Sequence, residues 1–154
     1  MAKAWLFRRT TSKPWSGSSY ATAQFNVGVQ YHDGKGVVQD YSRAMEWYLK
    51  AANQGFAAAR NYVGVLYCNG DGAPLDYSKA MEWYLKVAKQ GYAMAQNNFG
   101  VLHHDGKGVP QNSSKSMEWS LEAAYKGHSK AQNNVGFMYD EGRVVQRDYS
   151  EAMD

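Results

Sequence analysis

His32, Cys68, His104 and Asp140 stand 36 residues apart, and each is of a type that can ligate zinc. Zinc requires all its ligands at about 2.0–2.3 Å. Four residues on a regular 36-residue spacing lie one structural repeat apart, at least a helix spacing of about 8–10 Å. The column cannot converge on one ion, and the adjacent His103-His104 pair offers too few ligands alone. The loop Asn69-Gly70-Asp71-Gly72-Ala73-Pro74 resembles the start of a calcium loop. Calcium loops of that type place glycine sixth and glutamate twelfth; counted from Asn69 those positions hold Pro74 and Ala80. Ser42, Ser78, Ser114 and Ser150 recur in the first turn of a helix, where serine serves the backbone, and no G-x-x-x-x-G-K-[ST] phosphate loop is present. No metal, no cofactor and no catalytic set is expected.

The 36-residue spacing is itself the dominant signal. Gly28, Gly64, Gly100 and Gly136 follow it, as do Gly34, Gly70, Gly106 and Gly142. Gly36, Gly72 and Gly108 form a third column, and Gly55, Gly91 and Gly127 a fourth, so fourteen of the fifteen glycines lie on one ruler. Trp47, Trp83 and Trp119 keep the same period, and so do the alanines from Ala23 and the methionines from Met45. Internal periods of this length mark stacked helical units. The units are 20–55, 56–91, 92–127 and an incomplete fourth, 128–154, which suggests a stretch of a longer array.

Each unit reads as two helices joined by a glycine-rich loop. The first is expected from Tyr20 to Tyr31, with Ala23 and Gly28 admitting a close neighbour. The second, Tyr41 to Gln54, carries apolar stripes over most of its circumference, including Ala44, Trp47, Tyr48 and Ala51. A helix of that kind must be sandwiched between others. Asp40 and Asp76 are expected as N-caps, and Gly55 as the helix end. The tryptophans and methionines, at core spacing, are read as packing residues rather than ligand-stacking ones. The fold expected is all-α, a right-handed α-α superhelix (solenoid) of 36-residue helical hairpins.

The 154 residues carry a formal charge of +3, located at one end. Residues 1–19 hold Lys3, Arg8, Arg9 and Lys13 and no acid, whereas the rest has 13 basic and 14 acidic side chains. A near-neutral body argues against reading the whole protein as a polyanion binder, so no nucleic acid is expected. No apolar run reaches membrane-spanning length, so no membrane partner is expected. A single cysteine excludes a disulfide-stapled fold. The expected location is cytoplasmic; the acid-free, basic segment 1–19 offers a mitochondrial alternative, and it could equally be a degenerate capping helix or disordered.

The unit A-x-A-x-x-x-V-G-x-x-Y-x-x-G-x-G-V-x-x-D-Y-S-x-A-M-E-W-Y-L-K-A-A-x-x-G resembles the Sel-one-like repeat (SLR) family, related to tetratricopeptide repeats. Ala21, Ala23, Val27, Gly28, Tyr31, Gly34, Gly36, Val37, Asp40, Ala44, Trp47, Ala51, Ala52 and Gly55 carry the resemblance, with their counterparts. Departures are Ala73 for the loop valine, His103 for the tyrosine, Asn112 for the aspartate, Ser116 for the alanine and Val144 for a loop glycine. The resemblance implies a non-catalytic scaffold or adaptor that binds a protein or peptide in the concave groove lined by first helices. By the same resemblance, columns 22, 25, 26 and 29 face that groove. Residues of the partner-binding face are then Phe25, Asn26, Val29, Asn61, Tyr62, Val65, Asn97, Asn98, Val101, Asn133, Asn134 and Phe137, with Thr22, Ala58, Met94 and Lys130 beside them. Asparagine amides suit a peptide backbone. Asn26, Asn98 and Asn134 match an asparagine common in that family, whose alternative role is a bond within the repeat. The different alternative for the whole chain is architectural, self-association through the open C-terminal repeat.

Overall fold

The computed structural model describes residues 17–140. The segment expected to be separate at 1–19 therefore lies outside the description up to residue 16, as does the fourth unit beyond Asp140. Gly17, Ser18 and Ser19 already belong to the first helix. Within the described residues seven helices follow one another, with no strand: α1 (Gly17–Asp33), α2 (Tyr41–Asn53), α3 (Ala57–Asn69), α4 (Tyr77–Ala88), α5 (Ala93–Asp105), α6 (Ser113–Tyr125) and α7 (Ser129–Asp140). Each packs chiefly on the helix before and after it, giving the right-handed α-α superhelix. No described helix is long and apolar enough to cross a membrane.

Helix starts follow from local chemistry. The side chains of Asp40, Asp76 and Asn112 accept from the backbone amides of Arg43, Lys79 and Lys115 at 3.0, 2.9 and 2.9 Å. Asn112 thus does the work of the aspartate it replaces, because either side chain supplies the oxygen that a helix N-terminus lacks.

The hairpins close through glycine. Gly28 lets α1 lie directly on α2, since a methyl group there would come within 2.6 Å of the Tyr48 ring. Between repeats a different glycine column works. Gly72, at φ +70°, sits against the backbone carbonyl of Tyr41, and Gly108, at φ +75°, against that of Tyr77. The loops of the second and third repeats therefore rest on the first turn of the preceding repeat's second helix, main chain on main chain. Only glycine combines that left-handed conformation with that proximity.

Two cores alternate with the repeats. One joins Ala44, Met45, Tyr48, Ala51 and Ala52 of α2 to Ala59, Val63 and Leu66 of α3, and Trp83 packs against it. The next joins Ala80, Met81, Tyr84, Val87 and Ala88 to Ala95, Phe99 and Leu102, covered by Trp119. Met45, Met81, Tyr48 and Tyr84 are interior. The tryptophans are half-buried instead, Trp83 closing the core between α2 and α3 and Trp119 that between α4 and α5. Their outer faces carry cations: Lys50 Nζ lies 4.1 Å from the Trp47 ring centre and Lys86 Nζ 4.5 Å from that of Trp83.

Candidate functional site

The first helices α1, α3, α5 and α7 carry the columns expected to meet a partner, and the columns divide. Asn26 and Asn133 are exposed; Phe25, Val29, Tyr62, Val65, Asn98, Val101 and Asn134 are half-buried; Phe137 is 55% exposed. Asn61 and Asn97 are buried, at 0% and 4% exposure. Those two amides therefore do not line an open groove.

What they do instead is join repeats. Asn98 Nδ2 donates to Asn61 Oδ1 at 3.1 Å, and Asn134 Nδ2 to Asn97 Oδ1 at 2.9 Å. Asn61 Nδ2 in turn donates to Met94 Sδ at 3.2 Å. Both asparagine bonds cross from one first helix to the next, with a separation of 37 residues. The Phe25 and Tyr62 rings hold the same place at the first junction, with centroids 5.5 Å apart. The column of Asn98 and Asn134 thus bonds between repeats rather than within one. A buried amide must find such a partner, because leaving it unpaired costs about 1–3 kcal/mol.

The ring of Tyr62 is enclosed at the first junction by His32 and Tyr48, with centroids at 5.8 and 5.2 Å. Burial pushes the Tyr48 hydroxyl strongly up from its ordinary range, so it stays neutral. At the second junction the Tyr84 hydroxyl donates to Cys68 Sγ at 3.7 Å. Burial raises the Cys68 thiol, which keeps it protonated and a poor nucleophile.

The His32, Cys68, His104 and Asp140 column stays dispersed. No three His, Cys, Asp or Glu side chains come together among the described residues. His32 Nδ1 instead lies 2.7 Å from Asp33, and His104 Nδ1 3.1 Å from Asp105. Lys35 and Lys107 complete the two loop clusters at 2.7 and 2.9 Å from the same carboxylates.

His103 occupies a place that tyrosine holds in the first two repeats. Tyr31 accepts from Arg43 at 3.3 Å, and Tyr67 lies under Lys79; a phenol tolerates a cation above it. An imidazole does not once protonated. Burial and, secondarily, Lys115 hold the His103 pKa below its ordinary 6.5, with the Phe99 ring at 4.9 Å. The unfolded chain then binds the proton more readily than the folded one, so stability rises with pH across that window. Above pH 6.5 the contribution is complete, and it is lost as pH falls toward the depressed folded value. Thermal melts at pH 8, 6.5 and 5 should show the wild-type midpoint falling more steeply than that of His103→Tyr; parallel slopes would remove His103 as the cause.

Comparison with known proteins agrees with this geometry. The Sel1 repeat family model matches residues 21–56, 57–92, 93–128 and 129–154, one residue out of phase with the units defined above. A protective antigen present in uropathogenic Escherichia coli strains, displaying an SLR fold, is 35% identical with a TM-score of 0.75 over 80% of this chain and 26% of its own. A Sel1 repeat protein from Oxalobacter formigenes is 36% identical with a TM-score of 0.73, over 86% and 54%. The chain thus spans about a quarter and about half the length of these two. Cysteine rich protein B of Helicobacter pylori, at 17% identity, a TM-score of 0.60 and coverage of 77% and 96%, shares the fold. No curated protein matches.

Proposed function

Since the chain belongs to the Sel1 repeat family, whose members are generally protein-interaction scaffolds and typically non-catalytic, we propose that it binds a protein or peptide along the face of α1, α3, α5 and α7, without catalysis. The observation that carries this reading is the set of first-helix side chains that packing leaves wholly or partly exposed. Asn26, Val29, Val65, Val101, Asn133 and Phe137 keep part of their surface free, and Met94 is 38% exposed. Apolar groups alternating with amides suit an amphipathic or extended peptide. Asn61 and Asn97 support that face from beneath instead of touching the partner. A reducing, cytoplasmic setting belongs to the same proposal, because Cys68 has no second cysteine with which to pair.

The test is a triple substitution, Asn26→Glu, Asn133→Glu and Phe137→Glu, at exposed positions outside the two cores. Affinity capture by the wild type should identify a partner, and direct titration of it should weaken at least tenfold in the variant at unchanged helical circular dichroism. Undiminished binding would overturn the assignment of this face.

A further inference from the structure

The three junctions between first helices are not equivalent in volume. At the first, the ring of Tyr62 fills the space beside Phe25, His32 and Tyr48. At the second, the corresponding residues are Asn61, Cys68 and Tyr84, and Asn98 stands in place of Tyr62. Asn98 is committed to Asn61 Oδ1 and is too short to occupy the remainder. The result is a cleft of ≈ 290 Å³ bounded by Val65, Cys68, Tyr84, Asn98, Val101 and Lys107.

We propose that this cleft receives the side-chain ring of a tyrosine presented by a protein partner. The inference rests on the partner-face reading above, and names the residue that would anchor there. Its basis is the protein's own precedent: one junction along the array, the same frame of backbone and columns encloses a tyrosine ring. The chemistry of the walls agrees. Val65, Val101 and Leu102 supply an apolar floor, and the neutral Cys68 thiol and Tyr84 ring supply soft, polarizable sides. Asp105 and Lys107, paired at 2.9 Å, supply a carboxylate acceptor and an ammonium donor for one hydroxyl. A phenol, apolar on its faces and polar at one tip, matches that distribution; an aliphatic side chain would cover the floor and make no polar contact with the Asp105–Lys107 pair.

The probe is N-acetyl-tyrosinamide, titrated to about 20 mM, a range suited to a single-side-chain ligand, against the full ¹⁵N-labelled chain, with N-acetyl-leucinamide as comparison. The tyrosine amide should shift the backbone resonances of Cys68, Asn98 and Val101 saturably, and the leucine amide should not. Asn98→Tyr should fill the cleft and weaken the response at least tenfold. Because that single change leaves the buried Asn61 without its bond, the pair Asn61→Phe with Asn98→Tyr, which transplants the facing Phe25 and Tyr62 rings of the first junction, provides a folded counterpart. Conversely, Tyr62→Asn should create a second response at Val29 and His32. Absence of saturable shifts, an equal response to the leucine amide, or a response retained in the double variant would each overturn the proposal. A groove partner that binds the double variant as tightly as the wild type would overturn the tyrosine anchor while leaving the groove standing. Probe binding lost in the double variant would sustain the anchor even if the three glutamate substitutions failed to affect capture.

Discussion

Gly28→Ala lowers the thermal midpoint by about 4–8 °C. The added methyl would meet Tyr48 Cδ1 and Cε1 at 2.6 Å and Cγ at 3.3 Å, well inside contact distance. Relief requires the ring or the helix to move. The ring is fully buried and confined by Phe25 and Tyr62, whose centroids lie at 5.5 and 5.2 Å. Overpacking of this kind costs about 1–3 kcal/mol, sometimes more, and alanine's intrinsic helical advantage returns only about 0.5–1 kcal/mol. A net loss near 2 kcal/mol corresponds to the stated shift for a chain of this size. Gly64→Ala poses the same clash with Tyr84, at 2.5 Å, but Tyr84 borders the cleft and can yield into it. The expected order of midpoints is wild type, then Gly64→Ala, then Gly28→Ala. Thermal melts followed by far-ultraviolet circular dichroism measure it; equal losses at the two positions would show that the cleft gives no relief.

The second large effect is at Asn61. Alanine there removes the acceptor of Asn98 and the group facing Met94 Sδ, in a site with no access to water. Leaving the buried partner unpaired costs about 1–3 kcal/mol, and the space left by the amide adds to that. A loss of about 2–3 kcal/mol is expected in urea unfolding. Asn97→Ala should behave similarly through Asn134. Asn133→Ala, at an exposed position, should stay within about 0.5 kcal/mol. The double change Asn61→Ala with Asn98→Ala should cost less than the sum of the single changes, because the shared bond is lost once. Additive losses would mean the two amides do not stabilise one another.

These asparagines mark where reading the sequence succeeded and where it stopped. The glycine columns, the Asp40 and Asp76 caps and the two-helix unit were legible because each depends on residues close in the chain. The facing of columns 25 and 26 was not, because the superhelix brings residue 25 of one repeat against residue 26 of the next. The contact therefore falls at 37 residues, one beyond the period that reveals everything else. A signal was nevertheless present. Taken at that offset, Phe25 faces Tyr62, Asn61 faces Asn98 and Asn97 faces Asn134, ring with ring and amide with amide. The packing role of the tryptophans was legible from their spacing; that Trp83 and Trp119 stay half-buried, each against a core built from two repeats, was not. The cleft was invisible to pattern altogether, since it depends on the difference in size between Asn98 and Tyr62 in otherwise matching surroundings.

The contacts of Gly72 on Tyr41 and of Gly108 on Tyr77 have a wider consequence. The step from one repeat to the next is held in part where main chain rests on main chain, and in part by buried first-helix amides, away from the exposed side chains of those helices. Pitch and curvature are thereby uncoupled from the chemistry displayed along the array. A lineage of such proteins can exchange one displayed side chain after another, and so change what it recognises, while the distance between neighbouring points of attachment stays the same.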